Sequence, residues 1–174
     1  MNRNGQFFLI LTVIIITVIA GLATMINFVE KKDDSRFYYA KDELAFESEK
    51  VIDYSISNNG DVKSDLTTFV QDYSAYSNAD NFYFVFGTTS EIRFAGLQKK
   101  NSGTVNVDFD STGNGIGITL NQGSFTTSDI LATSSTGTIT VNGITYSFTL
   151  NQGQNFFFVV SKEIEGDFYT ITNG

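Results

Sequence analysis

Residues 7–29 read FFLILTVIIITVIAGLATMINFV, and no charge occurs between Arg3 and Glu30. At a helical rise of 1.5 Å per residue the run reaches roughly 34 Å, against a hydrocarbon core of about 30 Å. A domain of this size has no core deep enough to surround such a helix. A cleaved secretory signal has a more basic start, a shorter apolar stretch and a small-residue cleavage site. Here the run is too long, and Gly21 to Thr24 is a weak cleavage site. The stretch therefore reads as a transmembrane helix. Arg3 and the terminal amine favour an inside N-terminus, and Lys31 and Lys32 on the far side oppose it. A large folded domain translocates regardless of such local charge. The expectation is a single pass in the cell membrane with the C-terminal domain extracellular.

Downstream, EKKDDSRFYYAKDELAFESEKVIDYSISNNG is charged and rich in helix formers. Phe37, Ala40, Leu44, Val51 and Tyr54 recur at three- and four-residue steps or their multiples, which predicts one apolar stripe. Glu47 and Lys50 can pair on the exposed side. Asp33, Asp34 or Ser35 would cap a restarted helix, and Asn58-Asn59-Gly60 ends it. Asp61 or Ser64 then caps a second, short helix carrying Leu66, Phe69, Val70, Tyr73 and Tyr76 on one face.

From Phe82 the period changes to that of strands. Phe82 to Phe86 (FYFVF) is apolar on both faces, as a covered central strand requires. Gly87 to Ser90 is a turn, and Glu91 to Ala95 returns. Thr104 to Asp110 alternates, with Val105, Val107 and Phe109 on one side. The clearest local signal is ITV-NG-ITYSFTL, where Asn142-Gly143 fits a two-residue type I′ turn. That register sets Val141 opposite Ile144 and Ile139 opposite Tyr146. Phe156 to Val160 is a further buried strand, and Asp167 to Thr172 a last one. The five residues TLNQG occur at Thr119–Gly123 and again at Thr149–Gly153. Two copies suggest a repeated strand-and-turn unit, since a solenoid needs at least three.

Composition excludes much of chemistry. The 174 residues carry a net charge of −8 and contain no His, Cys, Trp or Pro. Disulfides and thiolate metal sites are impossible, and so are Ser-His-Asp and Cys-His mechanisms. Nucleic acid is not expected as a partner, because it needs clustered Lys and Arg. Asp108-Phe109-Asp110-Ser111-Thr112-Gly113 resembles the start of a calcium loop, but Thr119 stands where the bidentate Glu belongs. A strand with a polar face followed by a turn is the favoured reading there. The glycines at 113, 115 and 117 precede no helix and carry no phosphate-binding logic. Gly123 to Thr140 is Ser/Thr-rich, which fits a polar edge strand and turns. No enzyme activity, cofactor, metal or catalytic residue is expected.

The first residues read Asn2-Arg3-Asn4-Gly5-Gln6-Phe7-Phe8-Leu9-Ile10. This resembles the class III signal peptide of archaeal type IV pilin-like proteins. In that family a short basic leader ends in Gly, and cleavage leaves the hydrophobic segment attached. The resemblance implies processing between Gly5 and Gln6 by a prepilin peptidase-like enzyme. It also implies contacts with the membrane and with other pilin subunits through the N-terminal helix. Positions that usually hold Ser and Glu hold Phe8 and Ile10 here, which points to a minor pilin or pseudopilin rather than a major filament subunit. The implied fold is α+β and pilin-like. It has a long N-terminal helix (transmembrane, then amphipathic), a second short helix and an antiparallel β-rich C-terminal domain. The boundaries expected are a leader at 1–5, a transmembrane or assembly helix at 6–29, its amphipathic continuation at 30–60 and an extracellular head at 61–174. The function implied is a structural or interaction role at the cell surface, in a type IV pilus-like filament or its assembly. The alternative is a non-assembling, single-pass anchored domain for extracellular binding or adhesion.

Overall fold

Five successive apolar residues, Phe82 to Phe86, must be covered on both faces, and the fold is built round that requirement. A computed structural model describes residues 3–88, 91–109, 115–132, 134–150, 155–164 and 166–174, with side chains throughout except at 3–11 and 21–36. The backbone is helical in α1 (Arg3–Ser57) and α2 (Val62–Tyr76). The strands are β1 (Asn81–Thr88), β2 (Glu91–Gln98), β3 (Gly103–Asp108), β4 (Ile116–Leu120), β5 (Thr126–Ile130), β6 (Thr136–Val141), β7 (Ile144–Thr149), β8 (Phe156–Ile164) and β9 (Asp167–Thr172). The chain divides into two compact units, 1–36 and 37–174.

The second unit holds two antiparallel sheets. One has the order β5-β2-β1-β8-β9 and the other β4-β3-β6-β7. The strand period of two sorts side chains into two cores. Tyr83, Val85, Ile92, Phe94, Phe157 and Val159 of the larger sheet meet Val105, Val107, Ile118, Leu120, Ile139 and Phe148 of the smaller. On the other face, Phe82, Phe84, Phe86, Phe156 and Phe158 meet Phe37 and Leu44 of α1 and Leu66, Val70 and Tyr73 of α2. Strands β1 and β8 are therefore central strands, buried on both sides.

Local rules account for the element ends. Asp61 is the N-cap of α2, its carboxylate accepting from the Lys63 and Ser64 amides at 3.0 and 3.2 Å. The β6–β7 hairpin pairs Val141 with Ile144 and Ile139 with Tyr146. Asn142 and Gly143 have φ of 52° and 80°, as a type I′ turn demands. The Ser/Thr-rich stretch supplies β5, a polar edge strand.

Two expectations are corrected. The first is the pilin-like fold, with one long helix that crosses the membrane and continues into the head. The chain divides within α1, after Arg36, into two compact units, and the second is a two-sheet antiparallel sandwich with a helical layer. The second is the single-pass membrane location: among the described residues no helix is long and apolar enough to cross a membrane.

A smaller correction concerns the amphipathic stripe. Phe37 and Leu44 are buried, but Tyr54 is exposed, and Ser48 and Ser55 fill the stripe instead. Both Ser Oγ atoms are left without a hydrogen-bond partner among the described residues.

Candidate interaction surfaces

The segment 12–20 carries apolar side chains on every side. Val13, Ile14, Ile15, Ile16, Val18 and Ile19 are each 50% to 61% exposed. At 100° per residue, the four consecutive positions 13–16 point in four directions. These residues are β-branched and are only moderate helix formers. A helix apolar all round needs apolar surroundings all round.

The outward side of 37–57 is different. Phe37, Leu44, Ser48 and Ser55 face the sheet. Away from them Tyr39, Phe46 and Tyr54 are 71%, 56% and 69% exposed. The Lys50 ammonium lies over the Phe46 ring, 5.2 Å from its centroid. Asp42, Glu43, Glu47, Glu49 and Asp53 are exposed around these rings. Tyr73 ties this helix to α2, its hydroxyl donating to Glu43 Oε2 at 3.4 Å. Burial, and then the Glu43 charge, push the Tyr73 phenol well above its ordinary pKa.

A cavity of about 400 Å³ opens between the sheets on the side of β7 and β9. Tyr83 and Val159 form one wall, Val141, Ile144 and Tyr146 the other, and Phe168 stands at the edge strand. Among the described residues no charged side chain lines it. The buried Tyr83 hydroxyl accepts from Gln98 Nε2 at 2.7 Å. Burial raises the Tyr83 pKa, and the Gln98 bond opposes the rise in part.

Charge chemistry concentrates at the other edge. Arg93 grips Asp129 with two N–H groups, Nε to Oδ1 at 2.8 Å and Nη2 to Oδ2 at 3.0 Å. Lys63 reaches the same carboxylate at 3.1 Å, so α2, β2 and β5 meet there. Hydrogen bonding from Arg93, then from Lys63, holds the Asp129 carboxyl down at about 2, from an ordinary 3.8. A depressed carboxylate stabilises the fold above its unfolded value. That contribution is lost as pH falls from about 3.8 through about 2. The side chain is 57% exposed, so the effect on stability is under about 1 kcal/mol. A carboxyl-carbon NMR titration is expected to place Asp129 at about 2. Arg93→Ala should move it back towards 3.8.

Gly5 and Gln6 lie in the helical backbone of α1, but their side chains fall outside those described. Of the calcium-loop sequence, Asp108 ends β3, while residues 110–114 lie outside the described residues. Among the described residues, no group of three carboxylates is placed to hold a metal ion. The aromatic line on α1 escaped the sequence reading, which assigned Tyr54 to the buried stripe. Its signal was available: Tyr39, Phe46 and Tyr54 stand seven and eight residues apart. Compared with known protein families, curated proteins and solved structures, the chain matches none.

Proposed function

We propose that the chain is a structural subunit that works by assembly, as a minor pilin or pseudopilin does. The observation that carries this reading is the all-round apolar surface of 12–20. One flat interface would cover a single side of such a helix. Several neighbouring helices cover all of it, which is how a helical bundle core is made. Burial at roughly 25 cal/mol per Å² of apolar surface would drive the packing. The Gly5-Gln6 junction lies just before this segment, so processing there would leave it at the start of the mature chain. The sandwich makes contacts with other molecules.

The test is the assembly state of the full chain after exposure to a prepilin peptidase. The expected result is a mature N-terminus at Gln6, read by mass, with multimers or filaments visible by electron microscopy. Gly5→Leu should block the mass change, and Ile15→Asp should abolish multimers while leaving processing intact. A processed chain that remains monomeric in detergent-free buffer would sink the reading.

A further inference from the structure

We propose that the outward face of 37–57 docks a basic amphipathic helix of another protein. That helix would seat its apolar side chains on Tyr39, Phe46 and Tyr54 and its cations against the surrounding carboxylates. The inference uses residues after Arg36 alone and does not depend on assembly through 12–20.

The geometry is that of a helix seam. Tyr39 and Phe46 stand seven residues apart, close to two full turns, and follow one another about 11 Å apart along the axis, while Tyr54, eight residues further on, is turned about 80° towards the Glu43 and Glu47 side. Tyr39 and Phe46 lie opposite Phe37, Leu44, Ser48 and Ser55, which are buried on the other side. The packing of the domain therefore holds the rings outward. Apolar anchors recurring every two turns are what a helix lying alongside another presents.

Charge selects the partner. Asp42, Glu49 and Asp53 project on one flank of the line, and Glu43 and Glu47 on the other, all exposed. The segment contains two cations, Lys41 and Lys50. A second copy of the same face would bring five carboxylates against five, which disfavours self-association here. A basic helix meets attraction on both flanks, and the net charge of −8 adds long-range steering. The rings themselves accept cations. Lys50 already stands over Phe46, and Tyr39 and Tyr54 can receive Arg or Lys from the partner in the same manner. A face that served only to be wetted would not need three large rings in register among its charges.

The test is fluorescence anisotropy of the full chain with a labelled Leu/Lys amphipathic peptide. A Ser/Lys peptide of equal charge and a Leu/Glu peptide serve as comparisons. Binding is expected for Leu/Lys alone, weakening steeply with salt. The triple variant Tyr39→Ala, Phe46→Ala, Tyr54→Ala should lose at least about tenfold in affinity, as removal of aromatic anchors does. The variant Asp42→Asn, Glu47→Gln, Glu49→Gln, Asp53→Asn should lose most of the salt dependence. All these positions are exposed, so circular dichroism and the thermal midpoint should stay near those of the parent chain. Equal binding of Ser/Lys and Leu/Lys peptides, or a triple variant that binds like the parent, would reduce the effect to surface charge and overturn the proposal. So would failure of the Leu/Lys peptide to bind.

Discussion

Phe84→Ala is expected to destabilise the domain by about 3–5 kcal/mol, the usual cost of removing a buried ring. That is a large part of the roughly 5–15 kcal/mol that holds a typical domain together. Phe84 is fully buried in the middle of β1. It stacks on Phe156 at 5.6 Å and Phe158 at 6.2 Å, and meets Phe86 edge-on at 5.6 Å. Its directly paired neighbours are Phe158 on β8 and Ala95 on β2. Ala95 gives the ring room on one side, so the aromatic cluster leans to the other and lies under the helices. Alanine at 84 would open a cavity bordered by rigid rings that cannot collapse into it. Urea unfolding followed by tyrosine fluorescence should show the lower midpoint. Phe84→Leu should cost only about 1–2 kcal/mol, because it keeps most of the volume and loses mainly the stacking. Equal losses for the two variants would mean that the site is not a ring cluster.

Phe84 also illustrates what the sequence made legible. An unbroken run from Phe82 to Phe86 can only be a strand covered on both faces, and it is one. Asn142-Gly143 dictates its turn through two positive φ values, which in turn fixes the register of β6 and β7. These are local rules, and they survive folding because no other part of the chain competes with them. Layer assignment is not local. Nothing in Val105 or Val107 says that their side of β3 meets Phe157 and Val159 from a strand some fifty residues later. The second sheet was therefore invisible as a separate layer.

The apolar run 7–29 shows the opposite difficulty. Hydropathy reports that a segment avoids water, but lipid and protein satisfy that demand equally well. Length decided for lipid, but among the described residues no helix is long and apolar enough to cross a membrane. The α1 stripe was misread for a related reason. Periodicity counts apolar residues, and Tyr is apolar along its ring and polar at its tip. Ser48 and Ser55, which periodicity treats as polar, are buried. Thus Tyr54 was counted inside and two serines outside, and the exposed ring line on the other face went unseen. Of the two TLNQG copies, Leu120 ends β4 and Leu150 directly follows β7, both buried, while Thr119 and Thr149 are exposed; residues 151–153 lie outside the described residues.

Gly87 is where a single methyl group should have an effect comparable to loss of a ring. Its φ is 130°, a conformation open to glycine and strained for other residues. A Cβ there would stand 2.0 Å from the Glu91 carbonyl oxygen and 3.0 Å from Ile92 Cα. Both are backbone atoms of the paired strand, so no rotamer change relieves the contact. Gly87 lies opposite Ile92 in the β1–β2 ladder, and its N–H donates to the Asn155 carbonyl at 2.9 Å. Moving it would loosen the ends of both strands that flank β1. Gly87→Ala is expected to cost about 3 kcal/mol or more, the strain of φ plus the displacement of a strand end. Gly143 provides the comparison. It too has a positive φ, of 80°, but open space where the methyl would go. Gly143→Ala should therefore cost only the backbone term, about 1 kcal/mol. Hydrogen exchange read alongside denaturant midpoints separates the two effects. Gly87→Ala should raise exchange at Phe86, Ile92 and Phe156 together, and Gly143→Ala should leave those amides protected. Equal midpoints for the two variants would show that the Glu91 carbonyl can move aside, and that the β1–β2 end is softer than its packing implies.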